Sequence, residues 1–190
     1  MQLSERAKQL IPKARIVSFA TWQEMHPSEA ISLFQQADDE RYYLTDADLA
    51  ALQGLSFSDE GLKLARLLRD RASDIVTEAR EEVLAHFPQI IQPGGELYPP
   101  FRAEACWRDF WHFLRCVTYG IAGGNSFFTS EEGLKNMNLL YQELKVPLPA
   151  MILGLESLKV ASLKYSIPQQ TAIASACFDH LIEKLKTFQP

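Results

Sequence analysis

Arg102, Cys106 and Asp109 are four and three residues apart, the spacing at which side chains on a helix stand one above another. A helix through them presents a guanidinium, a thiol and a carboxylate on one wall, and Arg108 beside the row can reach around on its long stem. A thiol there is a candidate nucleophile, and guanidinium matches a carboxylate through two parallel hydrogen bonds. The same spacing also fits a buried cysteine flanked by surface ion pairs, and spacing alone does not choose between them.

The elements that must carry this wall are helices. Ala103 through Ala122 reads as one, rich in aromatics and closed by Gly123-Gly124, because glycine takes the left-handed turn that ends a helix. Upstream, Leu62, Ala65, Leu68, Ala72, Ile75 and Ala79 recur at three- and four-residue steps, which predicts one long amphipathic helix from Asp59 to Phe87-Pro88. Pro93-Gly94-Gly95 and Pro99-Pro100 enforce a loop between the two. Ser130 is a candidate N-cap for a helix running to Leu144, a further helix is expected from Ala150 to about Tyr165, and a last one from Pro168 to Lys186. Ahead of Asp38, Pro12 and Pro27 divide the chain into two short helical pieces. No alternating segment demands a strand and no internal period repeats, so the fold class is all-α.

Composition narrows the function classes. The 190 residues carry 19 basic and 24 acidic side chains, with 47% hydrophobic residues, the mix of a packed domain. No basic stripe appears, which argues against a nucleic-acid partner. The first ten residues include Glu5, Arg6 and Lys8 with no apolar stretch behind them, and Pro147 and Pro149 break the longest apolar run. A soluble chain without a secretory signal is therefore expected. Four basic residues, Arg6, Lys8, Lys13 and Arg15, stand against Glu5 alone in the first 23, so the N-terminus could touch an acidic partner or a lipid surface, or be a solvated helix face. Three cysteines, Cys106, Cys116 and Cys177, cannot all pair, and the first two are too far apart along one helix to bridge. No metal-ligand spacing, phosphate loop or catalytic triad is legible, so neither a metal nor an enzymatic role is expected. His86 and His112 read as packing residues rather than haem ligands.

The stretch Cys106-Trp107-Arg108-Asp109, followed by Leu114-Arg115 and Thr118-Tyr119-Gly120-Ile121-Ala122-Gly123, resembles the bilin-attachment helix of the phycobiliproteins. Pro93-Gly94-Gly95-Glu96-Leu97-Tyr98 is similar to the family's Pro-Gly-Gly-Asn-Ala-Tyr loop. Tyr141 to Pro147, Phe178-Asp179-His180 and Ala37-Asp38-Asp39-Glu40-Arg41-Tyr42-Tyr43-Leu44 resemble three further family segments. The resemblance spans about residues 30–186 and identifies the chain as a divergent allophycocyanin-like paralogue. Glu96 stands where β-type subunits have a methylated asparagine, His112 and Phe113 replace aromatic positions, and Trp107 and Trp111 add bulk.

The resemblance implies a globin-like domain over 38–190 behind an N-terminal helical pair in 1–37. It implies a phycocyanobilin-type open-chain tetrapyrrole joined through Cys106 as a thioether, with Asp109 accepting hydrogen bonds from the pyrrole N–H groups. Arg108 and Arg102 are implied as propionate contacts and Tyr141 as an aromatic of the pigment pocket. Asp38 and Arg115 match a charged pair that bridges subunits in the family, which implies a phycobiliprotein-like partner or self-association. The implied setting is a cytoplasmic light-harvesting assembly at the periphery of the thylakoid. An adaptor acting in phycobilisome assembly, degradation or bilin handling is the competing reading, prompted by the long N-terminus.

Overall fold

The computed structural model describes residues 3–189, and in them nine α-helices and two short 3-10 turns account for the architecture. The helices are α1 (Glu5–Leu10), α2 (Ser28–Asp39), α3 (Asp46–Gly54), α4 (Asp59–Asp70), α5 (Ala72–His86), α6 (Pro100–Gly123), α7 (Glu131–Leu144), α8 (Leu148–Leu163) and α9 (Pro168–Lys186). The 3-10 turns are Ile11–Lys13 and Ala20–Trp22. No strand forms among the described residues, only an isolated bridge between Val17 and Thr129. The globin-like, all-α class expected from the sequence is the one observed.

α6 is the axis of the molecule. Prolines at its first positions suit a helix start, where the missing N–H would have had no partner anyway. Gly124 ends it at φ 63°, the left-handed cap expected of the Gly-Gly pair. Between these ends lies an unbroken buried run from Phe113 to Gly123, and α4, α5, α8 and α9 pack around it.

Two expectations about helix boundaries need correction. The single helix from Asp59 to Phe87 is two, because Arg71 leaves helical geometry at φ −104°, ψ 7°. α4 packs chiefly on α6 while α5 packs chiefly on α8, so the chain bends to serve two partners. The three- and four-residue rhythm runs through the bend unbroken, and no glycine or proline marks it. α3 falls where no helix is expected. Its start is a capping box in which Thr45 accepts from the Asp48 N–H and Asp48 accepts from the Thr45 N–H.

The N-terminal segment is tied down along its own chain. α1 stops at Leu10, residues 14–19 form a connecting segment outside any helix, and α2 begins immediately after Pro27, as the two prolines suggest. The Ser130 N–H donates to the Ile16 carbonyl at 2.7 Å and the Ser18 N–H to that of Phe128 at 2.9 Å. α1 lies on α7, where a Cβ on Gly133 would run into the Arg15 carbonyl. Fully buried Trp22 packs against Gly123 and donates from Nε1 to the Phe127 carbonyl at 2.9 Å. The 37/38 line drawn from the resemblance falls inside α2.

Candidate functional site

A cleft of about 600 Å³ opens along one side of α6. Cys106, Asp109, His112 and Phe113 line its floor, with Arg102 and Arg108 at the edges. Met137, Leu140, Tyr141 and Leu144 of α7 form one wall, Asp38 and Arg41 at the end of α2 another, and Leu3, Ile11, Ala14 and Ile16 of the N-terminal segment complete it. Trp107 and Trp111 do not fill it. Trp107 packs on Phe110 and under Arg80, and Trp111 stands edge-on to Tyr43 at 4.7 Å between centroids.

The structure brings Cys106, Asp109 and Tyr141 together. The Tyr141 hydroxyl donates to Asp109 Oδ2 across 3.3 Å, a long bond for an O–H and a carboxylate. It is the sole side-chain hydrogen bond to Asp109 among the described residues. Burial pushes the Asp109 carboxyl up to about 6, against the pull of Tyr141 and the nearby charge of Arg108. Burial pushes the Cys106 thiol up to about 12, with Asp109 adding to the rise and Arg102 opposing it. At neutral pH the site therefore holds a protonated thiol beside an under-bonded carboxylate. All three cysteines are buried and free.

The arginines divide. Arg108 is exposed and makes no ion pair or hydrogen bond with any described residue. Arg102 is committed: Nε donates to the Glu96 carbonyl at 2.9 Å, and Nη2 donates to those of Leu144 and Lys145 at 2.9 and 3.0 Å. It fastens the end of α7 and the loop before α6 through Nε and Nη2 while lining the edge of the cleft.

Asp38 and Arg115, expected as an interface pair, meet each other within this chain. Arg115 Nη1 donates to Asp38 Oδ1 at 3.0 Å and to the Tyr119 hydroxyl at 2.6 Å, and Arg15 Nη2 donates to Asp38 Oδ2 at 2.6 Å. The Tyr119 hydroxyl in turn donates to the Tyr42 carbonyl. Arg15, contributed by the N-terminal segment, joins the pair that ties α2 to α6 within this chain.

Sequence spacing missed the N-terminal wall, His112 and Arg41. The wall is built from residues remote in sequence from α6, and nothing local announces it. His112 Nδ1 is buried without a partner. Burial, then the charges of Arg115, Arg41 and Arg108, push its imidazole down to about 4, so the ring is neutral and the surrounding field positive.

Residues 32–185 match the sequence model of the family described as Phycobilisome protein. The allophycocyanin subunit alpha-B of Nostoc sp. is 32% identical over 153 residues, 79% of this chain and 94% of that one. The allophycocyanin alpha chain of Cyanophora paradoxa is 32% identical over 151 residues, covering 79% and 94%, and that of Thermosynechococcus vestitus 30% over 147, covering 77% and 91%. Matched over most of its length by a family model and by these alpha chains, with the cysteine–aspartate row on one wall of an open cleft, the chain belongs to the phycobilisome protein family.

Proposed function

We propose that this chain is a pigment-bearing phycobiliprotein rather than an enzyme, holding an open-chain tetrapyrrole covalently at Cys106 for light harvesting. One observation carries the reading: Cys106 and an under-bonded Asp109 share the floor of an open cleft of about 600 Å³. That volume lies within the range of roughly 300–1,000 Å³ typical of small-molecule sites. A bilin in it supplies visible-light absorption. Cys106 offers the sulfur for the thioether. Asp109, whose Oδ1 has no donor among the described residues, accepts hydrogen bonds from pyrrole N–H groups, which restores the carboxylate that burial disfavours. Arg108 pairs with a propionate, and Tyr141 orients Asp109 from the opposite wall. Side chains of the N-terminal segment add apolar surface to one side of the cleft, which suits a pigment that must be kept rigid.

Co-expression with bilin biosynthesis enzymes, followed by denaturing electrophoresis and zinc-enhanced fluorescence, tests this. A fluorescent band that disappears in Cys106→Ala is expected; a colourless wild-type protein would leave the reading without support. The adaptor reading needs an N-terminus free to reach a partner, whereas residues 4–22 are bonded to their own chain. Family membership supports association with a phycobiliprotein subunit, and a setting beside the thylakoid is proposed with it. Among the described residues no helix is long and apolar enough to cross a membrane, so attachment there would be peripheral. Co-purification of a tagged chain with phycobilisome subunits is the expected result.

A further inference from the structure

Arg41 occupies a costly position. It follows α2 at φ 60°, where its N–H donates to the Asp38 carbonyl at 3.1 Å and the next N–H, of Tyr42, to that of Ala37 at 3.0 Å. This is the left-handed closure of a helix, which glycine adopts without strain and a branched-chain-sized residue does not. The turn itself has no use for a guanidinium. The side chain is exposed and lines the cleft. Among the described residues, Arg41 and Arg108 are the arginines with neither an ion pair, a side-chain hydrogen bond nor an aromatic face.

The two cations flank one stretch of floor. His112 lies beside them with Nδ1 buried and unpartnered, and it is six residues beyond Cys106, about 9 Å along the helix axis at 1.5 Å per residue. An elongated ligand fastened at Cys106 and laid along α6 therefore passes Arg108 and Asp109 first and reaches His112, beside Arg41, next. Asp38, the acidic group nearby, is already neutralised by Arg15 and Arg115. Neither Arg41 nor Arg108 has an ion-pair partner within 4 Å among the described residues.

Resting on the pigment reading above, we propose that Arg41 is a second carboxylate anchor of the cleft, gripping one propionate of the tetrapyrrole while Arg108 grips the other, with His112 as a neutral hydrogen-bonding neighbour. The site would thus select tetrapyrroles with two free acid arms.

The test uses the full-length Cys106→Ser protein, in which binding is reversible, with biliverdin and its dimethyl ester as probes. Arg41→Gly fits φ 60° and removes the charge, so the variant is expected to melt no lower than its parent. Its affinity for biliverdin should fall about tenfold, the scale of one charge-assisted contact, while affinity for the dimethyl ester stays unchanged. Arg41→Lys should recover part of the loss. Equal biliverdin affinity in the Arg41→Gly variant and its parent overturns the proposal, and so does an equal loss for the ester. If Arg108→Ala weakens binding and Arg41→Gly does not, the pigment reading stands and the second anchor falls. If the parent takes up no bilin and the wild type carries none at Cys106, both fall.

Discussion

Asp38 and Asp109 line the same cleft, yet their surroundings are opposite. Asp38 has a guanidinium on each oxygen, at 2.6 and 3.0 Å, and its side chain is 6% exposed. Asp109 has one hydrogen bond, at 3.3 Å, and burial has raised its carboxyl to about 6. A carboxylate already satisfied gains nothing from a ligand. One that is partly buried, desolvated and under-bonded disfavours the protein that contains it until donors arrive. The first is part of the scaffold, and the second is where binding energy can be collected.

Removing each should move stability in opposite directions. Asp38→Ala leaves Arg115 buried without its counter-ion and is expected to cost about 3–5 kcal/mol, the usual loss on breaking a buried pair. Urea unfolding at pH 8 measures it. Stability within experimental error of wild type would show that the Arg15–Asp38–Arg115 cluster is not structural. Arg15→Ala, which removes the half-exposed partner, should cost much less.

Asp109→Asn should instead stabilise the pigment-free protein, by on the order of 1–2 kcal/mol above neutral pH. The gain has a pH signature. The unfolded chain gives up the Asp109 proton near the ordinary 3.8 and the folded chain near about 6, so between these values the unfolded state binds fewer protons and stability falls as pH rises. The penalty is complete above about 6 and absent below 3.8. The difference between wild type and Asp109→Asn should therefore open across that window; a difference constant from pH 4 to 8 would contradict the raised carboxyl. In the pigmented protein the sign reverses in importance: Asp109→Asn should keep the thioether but weaken or blue-shift the absorption, because it removes the acceptor for the pyrrole protons.

What the sequence revealed of this site follows the same division between local and long-range information. The Cys106–Asp109 row, the Ser130 cap, which accepts from the Gly133 N–H at 3.0 Å, and the stop at Phe87-Pro88 are written in residues a few positions apart. The remaining cleft walls are not. Arg15 reaches Asp38 across 23 positions and Arg102 reaches Leu144 across 42, and no periodicity encodes such pairings. The bend at Arg71 and the left-handed turn at Arg41 lack the glycine that would have marked them. The bonds of Arg102 to the Leu144 and Lys145 carbonyls are likewise not readable from its place in the motif.

The smallest expected effect concerns the thiol, and it separates the contribution of Asp109 from that of the cleft. Cys106 is pushed up to about 12 first by burial and second by the charge of Asp109. The thiolate, the reactive form, is then a minute fraction at neutral pH. Alkylation of Cys106 by iodoacetamide, followed by peptide mass to distinguish it from Cys116 and Cys177, should accelerate about tenfold per pH unit between 7 and 9, since the titration midpoint lies well above. Asp109→Asn removes the smaller cause and leaves burial in place, so at pH 8 the rate should rise by only about threefold, less than the tenfold of a full pKa unit. A rise of a hundredfold would make Asp109, not the cleft, the main restraint on the thiol. No rise at all would mean that the carboxyl and the thiol do not sense each other, and the shared floor on which the pigment reading rests would lose its electrostatic support.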